Sequence, residues 1–420
     1  MKPKLLTTMK EYSAKLLVAD ALGGLTVALV ALPLSIAIAI ASGAAPAAGL
    51  VTAIVGGFLI SALGGSRVQI GGPTGAFIVV VYGVVQQFGF EGLLLATLMA
   101  GIILVVSGLL GAGRYIALVP EAVIEGFTVG IAVIIAASQL KDLLGLTVPK
   151  VSAELAQLLP ALWKARASLN TSAMAVGIAS IIGIGVLRKL LPRMPGSIIV
   201  IGIASLAVAK LHLPVETIHS RFGALPSGLP TPSLPKVSVP LISELLPSAF
   251  VIAFLAGIES LLSAMVADRM IGSAHRSNAE LLAQGAANIA SPLFGGLPAT
   301  GAIARTATNV RAGGRTPVAG IIHAATIFII TLVAAPLACY LAMSALAALL
   351  LVTAWVMSEP ARWRERLQLP LGDRFLLLLT MVLTIASTLT VAIAVGTGLG
   401  LAQRLIKRGV GPADWTPPDR

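Results

Sequence analysis

The sequence predicts an all-α polytopic membrane protein that crosses the bilayer about fourteen times. Three observations carry that expectation. Of the 420 residues, 57% are hydrophobic and only 11% are charged, whereas a soluble domain carries roughly 25% charged residues. Mean hydropathy is +0.97. Apolar runs of about 20 residues, the length that crosses a hydrocarbon core of about 30 Å, recur from Leu16 to Leu405. So few charges cannot cover a water-soluble protein of this size.

The predicted spans, in chain order, are 17–40, 47–63, 73–88, 92–112, 118–140, 171–188 and 196–211, then 241–267, 278–292, 298–312, 317–335, 338–357, 374–388 and 390–406. Those starting at Pro73 and Pro298 are shorter than a full crossing. The first apolar stretch is too long for a secretory signal core. Two longer connections interrupt the series. Residues 141–170, with Leu155, Leu158, Leu159, Leu162 and Trp163, read as an interfacial amphipathic helix. Residues 212–240, with Pro214, Pro226, Pro230, Pro232, Pro235 and Pro240, read as an extended linker. That linker divides the chain into a first repeat (1–211) and a second (241–408), followed by a cytoplasmic tail (409–420).

Net charge is +12, but the basic residues sit in short loops, which points to topology and not to nucleic acid. With the N-terminus in the cytoplasm, only Lys141, Lys150, Lys164, Arg166, Lys210, Arg221 and Lys236 fall outside, and Arg305 lies within a span. The other Lys and Arg residues fall inside, as the positive-inside rule requires. The chain is therefore expected in the inner membrane with both termini cytoplasmic. Cys339 is the lone cysteine, and His212, His219, His275 and His323 lack metal-ligand spacing. There is no Walker sequence, and no Ser–His–Asp arrangement suggests an enzyme. Gly126 and Gly130 read as a helix-packing pair, and the lone pair Gly183 and Gly185 has no phosphate-loop context. No cofactor is expected beyond a coupling proton or sodium ion.

Seven spans per half is an odd number, so the second half enters the membrane from the opposite side and the halves form a 7+7 inverted repeat. The two halves share one feature at equivalent positions. Gly71-Gly72-Pro73-Thr74-Gly75-Ala76-Phe77 opens the third span, and Gly295-Gly296-Leu297-Pro298-Ala299-Thr300-Gly301-Ala302-Ile303 opens the tenth. Each reads as a half-helix start at membrane depth, with proline in its first turn and free N–H groups backed by the helix dipole. Two such starts facing each other form a site for an anion. Ionisable side chains inside spans are costly and mark function. Glu259 lies mid-span with Ser263 one turn on, suited to a proton or a sodium ion. Arg305 is read two turns into the tenth span, where it adds positive field for the anion or pairs with Glu259. Glu125, Asp20 and Asp268 lie at span ends and read as structural.

Gly257-Ile-Glu-Ser-Leu-Leu, Ser277-Asn-Ala-Glu-Leu-Leu-Ala-Gln-Gly285 with Asn288, and 295–309 resemble the second-half signature of the SulP, or sulfate permease, family. Ala31-Leu-Pro-Leu-Ser, Gly72-Pro-Thr, Gly126-Phe-Thr-Val-Gly130 and Gln139-Leu-Lys-Asp-Leu-Leu-Gly145 resemble its first half. The resemblance covers most of residues 15–408. It implies a core domain of spans 1–4 and 8–11, a gate of spans 5–7 and 12–14, and often a homodimer. It implies a substrate site at Thr74, Gly75, Ala76, Thr300, Gly301, Ala302 and Arg305, with Glu259 and Ser263 for the coupling ion. The implied activity is secondary active transport of a small inorganic or organic anion, such as sulfate, bicarbonate or a C4-dicarboxylate, by elevator-like alternating access. Glu at 259, where sodium-coupled members tend to have Asp, implies proton coupling. The regulatory STAS domain that ends most members does not occur in these 420 residues. Two other readings are a nucleobase–cation symporter of the same fold and a passive anion channel. Arg305 in span 10 disfavours the first, and a carboxylate at Glu259 disfavours the second.

Overall fold

A computed structural model describes residues 2–114, 120–148, 155–191, 194–387 and 389–406. The tail 409–420 and Lys150, Arg193, Lys407, Arg408 and Arg420 lie outside the described residues. The first half comprises α1 (Ala14–Ala41), α2 (Pro46–Leu63), α3 (Ile78–Leu109), α4 (Glu121–Leu143), α5 (Leu155–Lys164), α6 (Thr171–Leu190) and α7 (Gly196–Lys210). The second comprises α8 (Val239–Ile271), α9 (Ser277–Leu293), α10 (Ile303–Arg311), α11 (Val318–Ala338), α12 (Met343–Met357), α13 (Leu371–Ala386) and α14 (Leu389–Ile406). Among the described residues, eight helical segments are long and apolar enough to cross a membrane. The expected runs at 73–88 and 92–112 form one helix broken at Gly89, where φ is +72°. A residue with a Cβ would be strained there.

The helices sort into two packed sets. In one, α9 and α8 lie against α3, α11 against α1 and α2, and α10 against α8 and α1. In the other, α4 meets α12 and α13, α6 meets α12 and α7, and α13 meets α14. Without water to drive helices together in lipid, close packing through small residues holds them. A Cβ on Gly101 would stand 2.7 Å from Ile289 N, and one on Gly126 would stand 2.3 Å from Leu377 O. Gly126 is thus the packing residue the sequence suggested. Outward apolar side chains such as Val333 (78% exposed) and Leu337 (70%) suit a lipid surround.

The span-end acids are structural, as expected. Asp20, fully buried, accepts from Arg315 N (2.8 Å), Thr316 N (3.0 Å), the Thr316 hydroxyl and Tyr12 Oη (3.1 Å), which ties α1 to the entry of α11. Burial, followed by the Asp20 charge, pushes the Tyr12 phenol up to about 12. Glu125 on α4 pairs with Arg362 (2.8 Å) and Arg366 (3.3 Å) beyond α12. Leu155, Leu158 and Leu162 of α5 are buried against Ile134 and Leu146, with Leu159 and Trp163 exposed, so the expected amphipathic helix is present.

The 212–240 segment, expected as an extended linker, docks on its neighbours at several points. Thr217 bridges to Ala342, and Met343 N donates to Glu216 O at 2.9 Å. Arg221 pairs with Glu216 and, at 2.7 Å, with Asp142 of α4. Proline-rich chain stays extended. The non-proline residues between them still dock.

Candidate functional site

Two short extended segments meet in the first helix set. β1 (Gly71–Gly72) pairs antiparallel with β2 (Thr300–Gly301), with Gly71 opposite Gly301 and Gly72 opposite Thr300. Backbone of this kind inside a membrane needs a partner for every N–H and C=O. The pairing supplies some of them and side chains supply others. Around β1, Ile70 N donates to Thr306 Oγ1 (3.1 Å) and Asn309 Nδ2 donates to Val68 O (2.9 Å). Around β2, Asn288 donates to Ala299 O (2.7 Å) and accepts from Ala299 N (3.0 Å), while Thr52 accepts from Leu297 N (2.6 Å). The second half thus holds the first half's segment, and both halves hold the second's.

The prolines do not open the helices, as the sequence suggested. Pro73 and Pro298 precede them. A 3₁₀ turn, Gly75–Phe77, leads into α3, and α10 starts only at Ile303. Proline has no N–H to contribute to a ladder, so each flanks its strand. Arg305 accordingly lies in the first turn of α10, not two turns in. The N–H groups of Ile303, Ala304 and Arg305 have no acceptor within the helix, and Ile303 is 42% exposed. Gly75 and Ala76 begin the opposing turn. These two helix starts are a place for negative charge.

Arg305 is 2% exposed. Its Nη2 donates to Ser35 Oγ (3.1 Å) on α1 and to Pro73 O (3.0 Å), and its buried Nη1 has no partner. An ideal Cβ on Gly72 would stand 2.2 Å from that Nη1, so only glycine lets the guanidinium reach this strand. Among the described residues neither Arg305 nor Glu259 is in an ion pair, and the two do not pair with each other. Glu259 accepts from Thr74 Oγ1 at 2.8 Å, across from α8 to the first helix start.

Residues 17–380 match the sulfate permease family profile. The chain belongs to the sulfate permease family. Bacillus subtilis YvdB is 42% identical over 373 residues, covering 88% of this chain and 70% of that protein. The bicarbonate transporter BicA of Picosynechococcus is 33% identical over 339 residues, covering 78% of this chain and 59% of BicA. The chain thus spans about three fifths of BicA's length. The solved transmembrane domain of a cyanobacterial BicA superposes with a TM-score of 0.81 at 28% identity, covering 93% of this chain and 98% of that domain. Murine Slc26a9 shares the fold, with a TM-score of 0.87 at 19% identity over 96% of this chain and 71% of that one. The protein is therefore a multi-pass anion transporter and not an enzyme.

The sulfate permease motifs bring Thr74, Gly75, Ala76, Thr300, Gly301, Ala302, Arg305 and Glu259 around the paired strands. Several are already engaged. Thr300 Oγ1 donates to Ala256 O (2.9 Å), and Ala302 N donates to Ile70 O (2.9 Å). Ser263, expected to act with Glu259, is fully buried and its hydroxyl lies 3.1 Å from Thr306 Oγ1. Sequence reasoning missed a second deep acid. Glu280 on α9 is fully buried and accepts from Gly65 N (2.8 Å), Ser66 N (3.2 Å), Ser260 Oγ (3.0 Å) and Gln284 Nε2 (3.0 Å). These four donors are shared between its two oxygens and hold the side chain in place. Gln69 joins this network through Ser260 Oγ at 2.9 Å. The signal was available in Glu280 and Gln284, one helical turn apart within an apolar run. The structure also links Asp268 to His275 Nδ1 (2.7 Å) and His275 Nε2 to Ser277 Oγ (3.1 Å), an Asp–His–Ser chain that the sequence did not suggest. Asp268 also takes His275 N (2.7 Å) and Ser273 Oγ (2.6 Å), so the group braces the α8–α9 turn.

The glycines of the two helix starts differ in what they tolerate. A Cβ on Gly301 would stand 1.5 Å from Gln69 Nε2, inside the Glu280 network. On Gly75 the nearest atom is the flexible Met357 Sδ at 3.1 Å. Gly301→Ala is expected to lower stability by about 2 kcal/mol through overpacking, and Gly75→Ala to melt like the parent. Thermal melting of both in detergent checks this; a Gly301→Ala midpoint equal to the parent's contradicts the packing argument.

Proposed function

We propose that this chain is a secondary active carrier of a small oxyanion or carboxylate (sulfate, bicarbonate or a C4-dicarboxylate), coupled to proton entry at Glu259. The observation that carries the reading is Arg305: a buried cation without a carboxylate partner, in the first turn of α10, bonded to Pro73 at the other helix start. An anion placed between the starts of α3 and α10 meets that charge and the free N–H groups of both turns. YvdB and BicA support this substrate class.

The reading takes fourteen spans in a 7+7 inverted repeat, inner-membrane placement and cytoplasmic termini. The Lys and Arg bias supports the orientation, and the antiparallel β1–β2 pair supports the inversion. A core of α1–α3 and α8–α11 would move against a gate of α4, α6, α7 and α12–α14. The sorting of helix contacts into those sets supports the elevator motion. Gly75 faces Met357 and Ile135 of the gate set across weak apolar contacts, suited to sliding. Homodimer formation rests on the family resemblance.

Proteoliposomes given labelled sulfate, bicarbonate or succinate test this. We expect one of them to accumulate above equilibrium only under an inward proton gradient. Uptake that merely equilibrates would indicate a channel, and uptake following sodium would move the coupling ion.

A further inference from the structure

On the face that carries Lys2, Lys4 and Arg67, three cations are drawn together by backbone bonds and not by carboxylates. Lys4 opens the short helix Lys4–Thr8, and its N–H donates to Gly64 O at 2.9 Å. Arg276 N donates to Gly65 O at 3.1 Å, and Arg276 Nη1 donates to Lys2 O at 2.6 Å. Arg67 follows two residues after Gly65 in the same turn. Glu280 fixes that turn from beneath by accepting Gly65 N and Ser66 N. Three half-buried basic side chains therefore leave one rigid cap.

None of the three is in an ion pair among the described residues. Asp268, the nearby acid, is taken up by Ser273 and His275. Arg67 Nε is buried and has no hydrogen-bond partner. Burial, then the charges of Arg276 and Arg67, hold the Lys4 ammonium below its usual value. A self-repelling cluster with an unmet buried donor is short of an anion.

We infer that this cap binds the phosphodiester headgroup of an anionic lipid, at a site separate from the transport site. Three residues, Val68, Gln69 and Ile70, separate Arg67 from β1, a reach of at most about 13 Å. A lipid is favoured over a free anion by the apolar surface beside the cations. Leu6 is 60% exposed and Met9 49%, and at the start of α1 Leu17 is 48% and Val18 62% exposed. Basic side chains at headgroup level beside apolar ones are how interfacial segments hold acidic lipid. Arg67 Nε and the Lys4 ammonium would give a phosphate charged donors beside the Arg276 guanidinium.

The test is native mass spectrometry of the full chain from mixed micelles holding equal phosphatidylglycerol and phosphatidylcholine. We expect retained phosphatidylglycerol in preference to phosphatidylcholine, weakened about fivefold by Lys4→Gln and about fivefold by Arg67→Gln. Arg67→Lys, which keeps the charge, and Lys10→Gln, outside the cap, should retain the parent's preference and control for folding. Equal retention of the two lipids overturns the site. So does a loss in Lys10→Gln as large as that in Lys4→Gln, which would mean unspecific surface charge. Displacement of the lipid by excess inorganic phosphate would assign the cap to a free anion and overturn the lipid reading.

Discussion

Glu259→Gln is expected to abolish anion accumulation driven by a pH gradient while leaving anion exchange in place. Among the described residues Glu259 has one donor, Thr74 at 2.8 Å, and no cation in ion-pair range. Glu280, one helix away, has four donors. Four donors occupy the oxygens of the second acid, whereas the first has lone pairs left to take a proton. A proton arriving with the anion removes one negative charge from the crossing. Each charge moved against 100 mV costs about 2.3 kcal/mol, a factor of about 50 in the attainable gradient. Glutamine keeps the shape and can still meet Thr74, but it cannot carry that proton. Gradient-driven uptake should therefore fall by a factor of this order, with counterflow of labelled against unlabelled anion preserved. Full gradient-driven accumulation by Glu259→Gln would refute proton carriage at this residue.

Arg305→Gln is expected to weaken anion binding by about 3 kcal/mol, on the order of 100-fold, measured by calorimetry on the purified protein. Two things are lost together. The positive charge at the α10 start disappears, and so does the bond to Pro73 O at 3.0 Å that ties the two helix starts. Arg305→Lys separates them, because lysine keeps the charge but cannot hold Ser35 and Pro73 with one planar group. An intermediate loss in Arg305→Lys is the expected result. Affinity within twofold of the parent in Arg305→Gln, at an unchanged melting temperature, would remove the anion from this helix start.

Both experiments rest on geometry that the sequence showed only in outline. The repeated Gly-Gly and Thr-Gly-Ala elements located the crossing point, because glycine and proline within apolar runs are costly and signal irregular backbone. They did not show that Gly71 and Gly301 pair as strands, since register depends on packing from distant helices. Proline was misread as a helix start because one dipeptide suits both a first turn and a strand edge. Glu259 was visible as a charge in an apolar run. Glu280 lay in the predicted span 278–292 with Gln284 one turn on, and its four donors show how it is buried there.

The sequence by itself determined that the chain lies in lipid, where its helices fall, which loops carry positive charge, and that Gly75, Gly301, Glu259 and Arg305 belong to one region. The first three follow from local composition and period, which transfer free energies read directly, and the last from the repeated glycine-proline motifs and the sulfate permease resemblance. The tertiary structure decided which polar groups remain unspent. Thr300, Ala302 and Ser263 are engaged by Ala256, Ile70 and Thr306, while Arg305 and Glu259 keep capacity for a ligand. A buried polar group's role is fixed by its partners, and these partners lie up to 270 residues away in the chain, beyond the reach of any local pattern.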